Sequence, residues 1–105
     1  MDFSEMSKRA LEIRARYSEF EIKKFGREWT REEIFQGLVG DMGDLAKLVL
    51  AKSNVREIEN ADEKIAHELS DCLWSLIVLA QKYDIDLEKS FVGTMDDLEK
   101  RLNES

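Results

Sequence analysis

The chain has 105 residues, 43% of them hydrophobic and 37% charged, with a net charge of −7. That length suits one domain over residues 1–105, with a composition typical of a soluble, helical protein rather than a disordered one. The acidic balance argues against general nucleic-acid binding, which needs a basic face, but it leaves room for a phosphorylated ligand held through metal ions. The longest apolar run, Leu73 to Ala80, is interrupted by Ser75 and is too short to span a membrane. Met1 to Glu5 is acidic at its start and lacks the apolar core of a signal peptide. A lone cysteine, Cys72, cannot form an internal disulfide, which fits a reducing cytoplasm.

Proline is absent, and the apolar pattern is helical throughout. The first helix is expected from about Asp2 to Lys24, with Phe3, Met6, Ala10, Ile13, Tyr17 and Phe20 on one stripe and Gly26 as its stop. The second starts near Thr30, where Thr30 and Glu33 have capping-box spacing, and reaches about Lys52. Ser53 to Asn60 reads as a loop. The third helix begins at Asn60 with Glu63 as reciprocal cap, and its core stripe is Ile65, Leu69, Leu73, Leu76, Leu79 and Tyr83. Asp84 to Asp86 forms a tight connection, with Asp86 capping a last helix whose inner face is Leu87, Phe91, Met95, Leu98 and Leu102. The fold class is all-α: an antiparallel four-helix bundle, its core completed by oligomerisation.

Two acidic pairs at i, i+3 spacing carry the chemistry. Asp41 and Asp44 lie among Gly37, Gly40 and Gly43, and Glu68 and Asp71 precede the apolar run. Residues three apart share a helix face, and carboxylates in apolar surroundings are costly without partners. Two such helices side by side would gather four carboxylates, which a hard divalent cation such as Mg²⁺ or Mn²⁺ would neutralise. Chance pairing remains the plain alternative, since 23 acidic residues in a helical chain also produce pairs such as Asp96 and Glu99. A single histidine excludes multi-histidine zinc sites and histidine-rich di-iron sites. His67 points about 100° away from Glu68 and is not expected to be a ligand.

Other side chains have two readings each. Lys82 lies three turns beyond Asp71 on the same stripe, as a phosphate contact or as a solvated lysine at a helix C-terminus. Trp29 and Trp74 are base-stacking or core aromatics. The three glycines admit either a close helix neighbour or a ligand. Cys72 reads as a small buried hydrophobe. Lys47, Lys52 and Arg56 are ordinary end charges or guards of a phosphate site.

Together these residues resemble the MazG-like all-α nucleotide pyrophosphohydrolases. Gly40-Asp41-Met42-Gly43-Asp44 resembles that family's Glu-Glu-x-x-Glu motif, and Glu68-Leu69-Ser70-Asp71 matches its Glu-x-x-Asp motif. Gly37-Leu38-Val39, Cys72-Leu73-Trp74 and Asp84 to Leu87 extend the likeness, which covers Trp29 to Leu102. The resemblance implies hydrolysis of a nucleoside triphosphate to a monophosphate and pyrophosphate. It makes Asp41, Asp44, Glu68 and Asp71 the ligands of catalytic Mg²⁺ (Mn²⁺ as a substitute), with Lys82 on the phosphates; the base-stacking reading of Trp29 places that residue on the substrate too. It also implies a homodimer or homotetramer. The chain departs from the pattern at Gly40, where the family has a glutamate, and at two aspartates one methylene shorter than the family's residues. The rival from another class is a non-catalytic helical module that senses a nucleotide or binds a partner protein.

Overall fold

The structure, a computed structural model, describes residues 1–53 and 57–104. Four helices follow in order: α1 (Phe3–Phe25), α2 (Arg31–Lys52), α3 (Ala61–Lys82) and α4 (Leu87–Glu104). There is no strand among the described residues. Part of the expected Ser53–Asn60 loop, together with Arg56, lies outside them.

Most helix ends follow the capping chemistry. Asp2 is the N-cap of α1, its side chain accepting from the Glu5 backbone N–H, and Gly26 closes the helix with φ 82°. A left-handed residue there is cheap only for glycine. Thr30 and Glu33 form the full capping box of α2. Asp86 accepts from the Lys89 N–H at 3.1 Å and so caps α4. The expected cap at Asn60 does not form. Asn60 precedes α3 in the left-handed region, with φ 57°, and makes no side-chain cap bond. A side-chain cap requires an extended residue, and the chain entering α3 turns instead.

α2 and α3 are the packed centre. They run antiparallel: Lys52 Nζ is 2.8 Å from Asp62 Oδ1 at one end, and Arg31 lies over the Tyr83 ring at the other. Ile34, Leu38 and Leu48 of α2 are buried, as are Cys72, Ile77 and Val78 of α3; Ile77 lies towards α1, beside Phe3, Ser7 and Leu11. α1 packs on α3, fastened where Trp74 Nε1 donates to the Ala10 carbonyl at 3.0 Å and where the Tyr17 and Trp74 rings meet tilted, with centroids 5.7 Å apart.

The expected core stripes of α3 and α4 are displaced. Leu69, Leu73, Leu76 and Tyr83 are exposed, Leu69 by 53%. The face of α3 that meets α2 runs instead through Glu68, Cys72, Ser75 and Val78, about 100° round the helix. α4 buries no residue, and Phe91, Met95, Leu98 and Leu102 of its expected inner face are exposed. α3 is apolar on two faces, so leucine periodicity alone identified a face without showing what it meets. The resulting shape is open. The radius of gyration is 16.9 Å, against about 13 Å for a compact chain of this length.

Candidate active site

Asp41 and Asp44 project from the middle of α2, and Glu68 and Asp71 from the facing part of α3. The antiparallel pairing brings both acidic pairs together. Asp41, Asp44 and Glu68 offer carboxylate oxygens within 4.8 Å of one another, and Glu68, Asp71 and His67 form an adjoining group with the same spacing. Glu68 is common to both groups. Its Oε2 is buried and has no hydrogen-bond partner among the described residues. Burial first, then the charges of Asp41, Asp44 and Asp71, raises the Glu68 pKa above its ordinary value. Burial, then Asp71 and Asp44, does the same at Asp41. The cluster is thus under charge repulsion, and its donors fit a hard divalent cation: clustered carboxylate oxygens, one of them buried and unpaired.

The angle between His67 and Glu68 on the helix does not isolate the imidazole. Its contact is one turn further on, where Nε2 lies 3.1 Å from Asp71 Oδ2 at i, i+4. Cys72 is buried, as expected, and burial raises its thiol pKa.

Two cavities flank the cluster. One, of about 230 Å³, is bounded by Trp29, Ile34, Asp41, Asp71, Ser75 and Val78, with Arg14, Gly37 and Trp74 completing its wall. The other, of about 370 Å³, lies towards the start of α3, where Lys47, Lys64, His67, Asp44 and Glu68 meet. Trp29 therefore stands beside Asp41 and Asp71. A Cβ added to Gly37 would lie 3.3 Å from the Trp29 ring, so this glycine gives the ring its seat. Gly40 and Gly43 face open space within 4 Å, and no helix neighbour requires them. Lys82, half-buried, ends α3 about 16 Å along the axis from Asp71. It lies beyond the Trp29 cavity, whose wall it does not join.

Sequence reasoning overlooked two residues of α1. Arg14 and Glu21 form an ion pair with side chains only 11% and 8% exposed. Glu21 also accepts from the Trp29 backbone N–H at 2.9 Å. The signal was available: a Glu–Arg pair seven apart shares a helix face. It was hidden among many charges expected to be solvated.

An all-α fold with an acidic pair on each of two facing helices defines the class. A family model, the MazG nucleotide pyrophosphohydrolase domain, matches residues 29–104, and the chain belongs to that family. No curated protein and no solved structure matches it. α1 precedes the matched region. No helix among the described residues is long and apolar enough to cross a membrane.

Proposed function

We propose that this chain is a divalent-cation-dependent nucleoside triphosphate pyrophosphohydrolase, converting a nucleoside or deoxynucleoside triphosphate to its monophosphate and pyrophosphate. The observation that supports it most is the meeting of both acidic pairs around the buried, unpaired Glu68 Oε2. Asp41, Asp44, Glu68 and Asp71 would hold Mg²⁺, with Mn²⁺ as a substitute. The cation, when bound, supplies charge neutralisation on the phosphates and a water of lowered pKa.

The chain's own residues set the substrate's direction. Trp29 offers a flat face for the base on one side of the cluster. Lys47 and Lys64 stand on the other side and meet the polyphosphate. In this orientation Lys82 serves the base and sugar end, and a phosphate contact at Lys82 belongs to the reverse orientation. Alanine at Lys64 and at Lys82 separates the two: the residue on the phosphates raises the KM for triphosphates and weakens pyrophosphate inhibition, and the other leaves pyrophosphate inhibition unchanged. Gly40 lacks a side chain, so a carboxylate of the quartet orients or deprotonates the water. The exposed stripes of α3 and α4 fit a homodimer or homotetramer in the cytoplasm whose copies cover one another.

The test is pyrophosphate release from a panel of canonical and modified nucleoside triphosphates, with Mg²⁺, with Mn²⁺ and with chelator. Cation-dependent release from a subset is the expected result. A folded protein that binds cation and nucleotide without turnover would instead be the non-catalytic sensing module.

A further inference from the structure

Arg14 sits on α1, outside the region that matches the family model, yet it forms part of the Trp29 cavity. Moving a cation and an anion out of water costs several kcal/mol each before their attraction and hydrogen bonds offset it. Here hydrogen bonds supply the offset on both side chains. The Arg14 Nη2 donates to Glu21, and Nε donates to Ser18 Oγ at 3.3 Å. Nη1 has no hydrogen bond among the described residues and is not a buried orphan, so it is open to a partner from the cavity that Arg14 lines. The same Glu21 oxygen that holds Arg14 also holds the backbone N–H of Trp29. One buried carboxylate therefore fixes both a guanidinium and the aromatic ring beside it.

The surroundings narrow down what Arg14 meets. The cavity wall is largely apolar, with Trp29, Trp74, Ile34 and Val78. A mostly apolar pocket with a few directed polar groups suits a flat group with a polar edge. Under the reading above the phosphates belong with the cation cluster, which leaves this cavity to the base. A guanidinium only donates, so it needs an acceptor on that base. We propose that Arg14 reads the acceptor edge of a nucleobase seated against Trp29, with Glu21 as the positioning residue for both. The substrate class that follows is a nucleotide whose base turns a carbonyl oxygen to this wall: cytosine, uracil, thymine or guanine. Adenine, whose exocyclic group is an amino donor, is disfavoured.

The proposal rests on the nucleotide reading but not on catalysis, so its test uses binding alone. Calorimetry with the 5′-monophosphates of adenosine, cytidine, uridine and guanosine, without metal, measures the base preference of the full chain. The native protein is expected to bind at least one carbonyl-bearing base about tenfold or more tightly than adenosine monophosphate, since a site built around a hydrogen bond rejects a base that leaves it unmade. Arg14→Gln should erase that difference while adenosine monophosphate affinity changes less than about threefold. Arg14→Lys should restore part of it. Glu21→Gln should weaken the preference and alter Trp29 fluorescence. Circular dichroism checks each fold. If Arg14→Gln leaves Glu21 uncompensated and unfolds the chain, the double variant Arg14→Met/Glu21→Gln replaces the pair with neutral groups and carries the same expectation. A native protein without base preference, or a folded variant that keeps the preference or loses affinity equally for all four, would overturn the proposal. Base-selective binding without turnover would overturn the catalytic reading and leave this one standing.

Discussion

The α2–α3 seam and helix α4 both carry apolar residues at helical spacing, with opposite fates. In the seam, Ile34, Leu38 and Leu48 of α2 and Cys72 and Val78 of α3 are buried, Val78 to 1% exposure. In α4 no described residue is buried, and Phe91, Met95 and Leu98 stay exposed. Periodicity shows that a helix has an apolar face, and only a partner makes that face a core. The acidic cluster lies in the seam, so its geometry is built by the part of the chain that packs within itself.

The largest effect expected concerns the cluster. Glu68→Ala or Asp71→Ala should lower pyrophosphate release by about a thousandfold or more with helicity retained. Full activity in either folded variant would remove the site from this seam. Truncation of the packing comes next. Ile34→Ala or Leu38→Ala should cost about 2–5 kcal/mol in denaturant unfolding. Leu98→Ala should stay within about 0.5 kcal/mol at dilutions where the chain is monomeric. Comparable losses would mean that α4 is packed after all, and a concentration-dependent loss at Leu98 would identify a second copy as its cover.

The pH dependence sharpens the contrast further. Glu68 and Asp41 have pKa values raised by folding. Between their unfolded values, about 4 to 4.5, and their folded ones, the native state binds the extra protons. Stability of the metal-free chain therefore falls as pH rises through that window. Glu33 works in the opposite sense: its hydrogen-bonded pairing with Arg27, with help from Thr30, brings it down to about 2. Its contribution is present above the ordinary carboxylate value and is lost as pH falls towards that figure. Thermal melting of metal-free protein should therefore peak on the mildly acid side, and Glu68→Gln should flatten the decline towards neutrality. An unchanged decline in that variant would deny the repulsion at Glu68.

The smallest effects are at the backbone. Gly40→Ala should stabilise the chain by about 0.5–1 kcal/mol, because a Cβ there meets nothing within 4 Å. Asp86→Ala should cost about 1 kcal/mol, whereas Asn60→Ala removes no cap bond.

The local signals in the sequence were legible where they depended on near neighbours. Thr30 with Glu33, Gly26 and Asp86 each act within one turn, and the helix ends follow them. The two acidic pairs could also be read, because i, i+3 spacing fixes a shared face and the family's motif order fixes the partner helix. Which face of α3 meets α2 was not legible, since Leu69 and Cys72 both sit on apolar arcs and only the partner chooses between them. The Arg14–Glu21 pair was hidden for a related reason: nothing local separates a buried pair from a solvated one.

The central claim is that the four carboxylates of the seam hold a divalent cation through Glu68. Titration of metal-free protein with Mn²⁺, followed by the electron paramagnetic resonance of free Mn²⁺, tests it without needing a substrate. The account predicts binding by the native chain and at least about a tenfold loss of affinity in Glu68→Gln with the fold intact. Equal affinity in the two proteins, or no binding by a folded native chain, would contradict it.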